Sequence, residues 1–257
     1  MNKFINILQF LTRITIKKDV PYEKNMGSGL IFFPIVGIVI GGILLVEYLA
    51  LTTFVSPRYS IIVIPFILVI SEIIITGGLH VDGFGDTFDG LFSYRDKDGI
   101  LEIMKDPRLG TNGVLSVVFL VLSKIIIIFI LIDRDILWPI FLMPMIGRYV
   151  CVVLSYKSNP ARVNGMGNMF IGKCDIGTLL ASSAFTALVV TVASAIFSKS
   201  FVQAILDIVI VGVMFILTNV FEYLVSKKIG GLTGDILGCG IELGELVFLI
   251  CILLVTI

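Results

Sequence analysis

The chain has 257 residues, 57% of them hydrophobic and 15% charged, with a formal net charge of zero and a mean hydropathy of +1.07. A soluble domain of this length needs a far more polar surface, so the composition specifies an integral membrane protein. Zero net charge supplies no overall field for nucleic acid. Cys151, Cys174, Cys239 and Cys251 lack CxxC spacing, which excludes a zinc site and reads as ordinary buried thiols.

Residues 2–18 are too short and too charged to span a bilayer. Phe4, Ile7, Leu8, Leu11 and Ile14 recur at helical spacing, with Lys3, Asn6, Gln9 and Arg13 on the other side. That pattern predicts an amphipathic helix lying in the membrane interface. A signal peptide is the competing reading, but Arg13 interrupts the apolar part and no small-residue cleavage site follows. Seven apolar spans come next, at about 30–54, 59–76, 114–132, 136–156, 177–197, 201–225 and 243–257, the last starting as early as Ile241. About 20 residues cross the hydrocarbon core. The predicted fold class is therefore an all-α integral membrane protein forming one polytopic domain over residues 1–257. Pro34, Pro65, Pro139 and Pro144 fall inside or near span starts, where membrane helices tolerate kinks.

Tight turns near 55–58, 133–135 and 198–200 alternate with long glycine-containing loops at 77–113, 157–176 and 226–242. The amino-terminal segment and the three long loops hold 5, 4, 3 and 2 Lys or Arg residues, whereas the short turns hold one each, Arg58, Arg134 and Lys199. The positive-inside rule puts the amino terminus and the long loops in the cytoplasm of a multi-pass cell-membrane protein, and seven spans leave the carboxyl terminus outside.

The first long loop, GGLHVDGFGDTFDGLFSYRDKDGILEIMKDPRLGTNG, concentrates Asp82, Asp86, Asp89, Asp96, Asp98, Glu102 and Asp106 beside Arg95, Lys97, Lys105 and Arg108, with the single histidine, His80. Asp82, Asp86 and Asp89 are spaced for one helical face. Like charges at that spacing repel, so the arrangement calls for a cation, and all-oxygen ligands beside a phosphate substrate point to Mg²⁺. A solvated acidic loop is the plainer alternative. The pattern GGLxxD recurs at Gly230–Asp235, with Glu242 at the spacing of Asp89. Read as a repeat rather than a chance match, it brings two acidic clusters to one cleft. The loop at 157–176 offers Arg162, Asn164 and Lys173. Arginine suits phosphate, although a basic loop on anionic membrane lipids has the same composition. Together these features predict phosphoryl transfer or diphosphate departure, without a P-loop ATP site.

The runs GGLHVDGFGDTFDGLFS, EIMKDPRLGTNGV, ARVNGMGNMF and GGLTGDILGCGIELGE resemble the cobalamin synthase family, the adenosylcobinamide-GDP ribazoletransferases. The resemblance runs from FLTRI near the amino terminus to Glu245, nearly the whole chain. It implies a Mg²⁺-dependent membrane enzyme that joins adenosylcobinamide-GDP to α-ribazole or its 5′-phosphate and releases GMP. On that reading Asp82, Asp86 and Asp89 are metal ligands, and Asp106, Asp235 and Glu242 form a second group. Asp82, Asp86 and His80 carry the chemistry, and Lys105, Arg108, Arg162 and Asn164 bind substrate. An oligomer is compatible with the sequence, which does not specify one. A CDP-alcohol or prenyl-type transferase would use the same clusters. An ion-coupled transporter would instead use the acids within or near the spans, Glu47, Glu72, Asp207 and Glu222.

Overall fold

The computed structural model describes residues 2–18, 25–198 and 201–256. They form ten α-helices with two short 3-10 turns at Met26–Phe32 and Met166–Met169. In chain order the helices are α1 Asn2–Leu11, α2 Phe33–Phe54, α3 Pro57–Thr76, α4 Leu79–Leu91 and α5 Lys97–Ile103. Then follow α6 Thr111–Asp133, α7 Trp138–Leu154, α8 Ile176–Ser198, α9 Phe201–Ile229 and α10 Gly234–Val255. Among the described residues, six helices are long and apolar enough to cross a membrane, and α7 is a shorter apolar helix. The predicted turn residue Lys199 lies outside the described residues.

The apolar helices sort into an inner and an outer set. Every residue of α7 from Met143 to Leu154 is buried, and α7 packs on α2 and α10. α6, α8 and α9 instead expose Val118, Phe119, Leu188, Ile196, Ile216 and Leu224, the outward apolar belt that lipid requires of a spanning bundle. Close packing in the centre uses small residues, as membrane helices do. A Cβ added at Gly240 would meet Leu154 at 2.3 Å, and one at Gly244 would meet Val150 at 2.8 Å.

Three expectations change in the structure. The last span does not begin near residue 241 or 243, because α10 starts at Gly234 and the predicted loop 226–242 shrinks to the few residues after Ile229. The glycines and acids that lower the hydropathy of 234–245 are packing and ion-pairing positions within the helix. The first loop is largely helical, containing α4 and α5. The amino-terminal helix stops at Leu11, and its apolar face is covered by the chain itself. Ile7, Leu8 and Leu11 are buried, Phe4 meets Phe32 at 5.9 Å, and Phe10 meets Phe170 at 5.2 Å.

The two GGLxxD motifs do the same job at two places. Gly77, with φ 66°, ends α3. Its N–H reaches Ile74 O at 3.0 Å while Gly78 N–H reaches Ile73 O at 2.8 Å, the paired bonds of a Schellman cap. Gly230 and Gly231 also take positive φ, 81° and 151°, after α9. Each glycine pair reverses the chain into a helix whose first or second turn bears the motif's aspartate, Asp82 on α4 and Asp235 on α10. α4 and α10 pack side by side. At Gly83 the contact is so close that a Cβ would lie 2.8 Å from the Asp235 carbonyl oxygen.

Candidate active site

The α4–α10 contact sets Asp82 and Asp235 on the wall of one cavity of about 220 Å³, together with His80, Arg162 and Asn168. Arg162 comes from the irregular segment between α7 and α8. That segment is tied down by Ala161 N–H to Leu232 O at 2.7 Å and Leu232 N–H to Asn159 O at 2.8 Å. Arg162 Nη1 lies 3.4 Å from Asp235 Oδ2, and its Nη2 donates to Leu101 O at 3.1 Å. Its Nε is buried with no hydrogen-bond partner in the protein. The guanidinium is thus fixed by two neighbours and keeps a donor free, the condition in which arginine binds a phosphate oxygen. Asn168 donates to Arg162 O at 3.1 Å and Val163 O at 3.0 Å, which shapes the arginine-bearing turn.

His80 is 2% exposed, and its Nε2 has no protein partner. Burial, and then the charges of Arg148 and Lys124, hold its pKa well below the usual histidine value, so the imidazole is neutral. Asp86, one turn beyond Asp82 on α4, has its carboxyl pushed up to about 7 by burial first and then by Asp82, Asp235 and Asp89, against the pull of Arg162. The three aspartates of α4 therefore divide their tasks. Asp82 borders the cavity, Asp86 sits in the combined field of its neighbours, and Asp89 caps α6 by accepting from Gly110 N–H at 2.8 Å and Gly113 N–H at 3.3 Å.

The other predicted site residues lie elsewhere. Asp106 and Arg108 form a bidentate pair at 2.9 and 2.7 Å, whose hydrogen bonds hold Asp106 down to about 2. Together with Asp89 they line a separate surface pocket. Lys105 and Asn164 are exposed and border neither pocket. Glu242 is not beside Asp235, since α10 carries it about 10 Å further along the helix axis. There it accepts from Lys124 at 2.7 Å.

That contact belongs to an ionic cluster inside the bundle. Lys124 of α6 also reaches Glu72 of α3 at 3.4 Å and pairs with Glu245 of α10. Arg148 of α7 pairs with Glu245 and lies 3.7 Å from Glu72. All five side chains are at most 5% exposed. The sequence reading missed Lys124, Arg148 and Glu245. The available signal was two cations in the middle of apolar spans, which in a membrane must find partners. The remaining intraspan acids do not converge on a transport site. Glu47 accepts from Ser71, Asp207 from Gln203 and Glu222 from Ser226.

A metal site can be tested against this geometry. Among the described residues, no group of three or more His, Cys, Asp or Glu side chains is already gathered for an ion. Mg²⁺ is commonly held by one or two carboxylates, with waters and substrate phosphates completing its shell. Burial first, and then the charges of Asp82, Asp235 and Asp89, raise the Asp86 carboxyl. Asp82 and Asp235, which border one cavity, match that requirement of one or two carboxylates.

Fold and site together define a polytopic membrane protein with an acid-rich, arginine-flanked cavity, a class equipped for phosphorylated substrates. The chain matches the family model described as Cobalamin-5-phosphate synthase over residues 3–253. It is 44% identical to an adenosylcobinamide-GDP ribazoletransferase of Clostridioides difficile strain 630, covering 99% of this chain and 98% of that protein. It is 44% identical to one of Alkaliphilus metalliredigens strain QYMF, covering 100% and 96%, and 37% identical to one of Clostridium botulinum strain 657, covering 99% and 98%. No solved structure matches the chain. The chain belongs to the cobalamin-5-phosphate synthase family.

Proposed function

We propose that the chain is an adenosylcobinamide-GDP ribazoletransferase, acting at the cavity between α4, α10 and the Arg162 segment. A ribose hydroxyl of α-ribazole, or of its 5′-phosphate, attacks the phosphorus next to the cobinamide arm. An oxygen–phosphorus bond forms, the anhydride bond to the guanosine phosphate breaks, and GMP departs with the bonding electrons. The observation that carries the reading is Asp82, Asp235 and Arg162 on one cavity wall, supplied by the two GGLxxD turns and the segment between them.

Each residue has a task in this reaction. Arg162, fixed by Asp235 and Leu101, turns its free Nε–H to a diphosphate oxygen and opposes the charge that grows there. His80, neutral and lining the cavity, accepts the proton of the attacking hydroxyl. Asp82, Asp86 and Asp235 would hold Mg²⁺, which when bound supplies charge neutralisation on the diphosphate oxygens. Asp89 and Glu242 serve α6 and Lys124 instead. Arg108 is paired with Asp106 in the separate surface pocket.

In this reading the amino terminus and the cavity face the cytoplasm of the cell membrane, where nucleotide substrates are dissolved. The distribution of Lys and Arg between long and short connections supports that orientation. The experiment is substrate competition with purified protein and Mg²⁺. Adenosylcobinamide-GDP with α-ribazole should yield GMP and a joined corrinoid. CDP-alcohol and prenyl diphosphate donors should yield no CMP and no free diphosphate. Turnover of those donors in place of the GDP-linked one would assign the site to another diphosphate chemistry.

A further inference from the structure

Phe84, Phe88 and Phe92 recur at every fourth residue along α4 and its end, about 200° or more around the helix from Asp82. Their rings form a ladder, with Phe84 and Phe88 stacked at 4.5 Å and Phe88 and Phe92 at 5.4 Å. Leu115 and Phe119 of α6 and Leu243 of α10 complete a groove of about 380 Å³. Phe92 is 54% exposed and Phe119 65%, so the groove is open. Phe119 belongs to the outward apolar belt of α6, and in a bilayer the groove opens sideways into the hydrocarbon. Along α6 it runs from Asn112 to Ser123, about 17 Å at 1.5 Å per residue. That is close to the depth of one leaflet of a hydrocarbon core about 30 Å thick.

Cations gather at the Asn112 end. Asn112 donates to Phe92 O at 3.3 Å, and Lys228 of α9 donates to the neighbouring Leu91 O. Phe221, seven residues before Lys228 and therefore on the same side of α9, packs against the cluster of Phe84, Leu120 and Cys239. Lys97 of α5 reaches the same end of α9, where a Cβ at Gly230 would lie 2.4 Å from its Nζ. Among the described residues neither lysine takes part in an ion pair. Asp96 accepts instead from Gly99 N–H at 3.1 Å, and Glu222 from Ser226 at 2.7 Å.

We propose that this groove seats one anionic phospholipid, an acyl chain lying along the Phe84–Phe88–Phe92 ladder and the phosphate at Lys228 and Lys97. Shape selects the occupant. A volume of about 380 Å³ spread over about 17 Å of helix gives a cross-section of about 22 Å². That is room for one hydrocarbon chain, and far too little for a second copy's helix about 10 Å across. Charge selects the head group. The two unpaired lysines stand at one end only, and further in Ser116 spends its hydroxyl on Gly113 O at 2.7 Å. An amphiphile with a negative head and an apolar tail satisfies both ends, as basic sites between membrane helices do. The seated lipid packs against the helix whose other side carries Asp82, and the assignment does not depend on which reaction that site performs.

The test is tryptophan quenching by phosphatidylglycerol and phosphatidylcholine brominated in their acyl chains, with the full chain reconstituted in vesicles. Phe119→Trp reports on the groove and Leu188→Trp on the exposed face of α8, each after subtraction of the signal from the unsubstituted protein. Phe119→Trp should bind phosphatidylglycerol over phosphatidylcholine by about fivefold or more, the worth of one lysine near an anionic lipid. Leu188→Trp should give a ratio close to one. Adding Lys97→Gln and Lys228→Gln, which keep a donor for Leu91 O, should bring the Phe119→Trp ratio towards one as well. Equal ratios at the two positions, or a preference at Phe119→Trp that survives both lysine changes, overturns the assignment. So does a Phe119→Trp signal that neither lipid quenches, the result expected if protein, a second copy included, covers the groove.

Discussion

Arg162 Nη1 lies 3.4 Å from Asp235 Oδ2, which ties the irregular segment after α7 to the first turn of α10 across the cavity that Asp82 also lines. The contact joins residues 73 positions apart (235 − 162) and closes one side of the site. It orients the guanidinium while leaving its Nε–H unspent. The two glycine turns bring their aspartates to this place, so the repeat in the sequence is a repeat in the site.

Asp82 and Asp235 should therefore act as one unit. Asp82→Ala and Asp235→Ala should each lower kcat/KM by about a hundredfold or more, and the double variant should be little worse than either, because residues sharing one task lose it at the first deletion. Steady-state GMP release measures all three. Cysteines replacing the pair should also be joined by a short bifunctional crosslinker. Additive losses, or full activity in Asp235→Ala, would separate the two aspartates.

Asp86 should make metal binding pH-dependent. Its carboxyl, raised to about 7, keeps its proton below that pH in the metal-free protein, and Mg²⁺ must displace it. Apparent Mg²⁺ affinity should rise with pH and level off above about 7, with close to one proton released per ion bound at pH 6. Asp86→Asn should bind Mg²⁺ weakly and lose the slope. The same sign governs folding. A carboxyl whose folded value exceeds its unfolded one stabilises the protein most at low pH, and that contribution disappears as pH rises through 7. Titration of EDTA-stripped protein with Mg²⁺, in buffers of differing ionisation enthalpy, counts the protons.

Much of this was legible in the chain, for reasons that can be traced. Spans with a uniform apolar run, such as 114–132, were found within a few residues of their ends, because hydropathy is what a membrane selects. α10 was misjudged because Gly238, Gly240 and Gly244 give up apolar surface to let His80, Leu154 and Val150 approach, and hydropathy counts that as loop. Asp82, Asp86 and Asp235 could be picked out because acids are expensive in such a chain. Asp89 and Glu242 are just as conspicuous, but what they bond, the α6 amides and Lys124, follows from tertiary packing alone.

The ionic cluster in the bundle should be a stability element. Glu245→Ala leaves Lys124 and Arg148 without their shared carboxylate and should cost about 3–5 kcal/mol, as removal of one partner from a buried pair does. Glu242→Gln, which keeps a hydrogen-bond acceptor for Lys124, should cost less. Replacing Lys124 and Glu242 together by Met should be milder than Lys124→Met alone. Unfolding in SDS titrations of the purified protein would rank the variants.

Orientation can be read from labelling. In a protein lacking the four native cysteines, single cysteines at Ser93 and Lys173 should react only from the cytoplasmic side, and one at Arg58 only from outside. Labelling of Ser93 and Arg58 from the same face would contradict the arrangement derived from the positive residues.

The most direct measurement is GMP release by purified protein given adenosylcobinamide-GDP, α-ribazole and Mg²⁺, run beside Asp82→Ala and Arg162→Ala. The expected result is one GMP for each completed corrinoid, abolished by EDTA, with both variants slowed by about a hundredfold or more through lost charge stabilisation at the diphosphate. Wild-type rates in both variants, or joined corrinoid formed without GMP, would contradict a transfer at the Asp82–Arg162–Asp235 cavity.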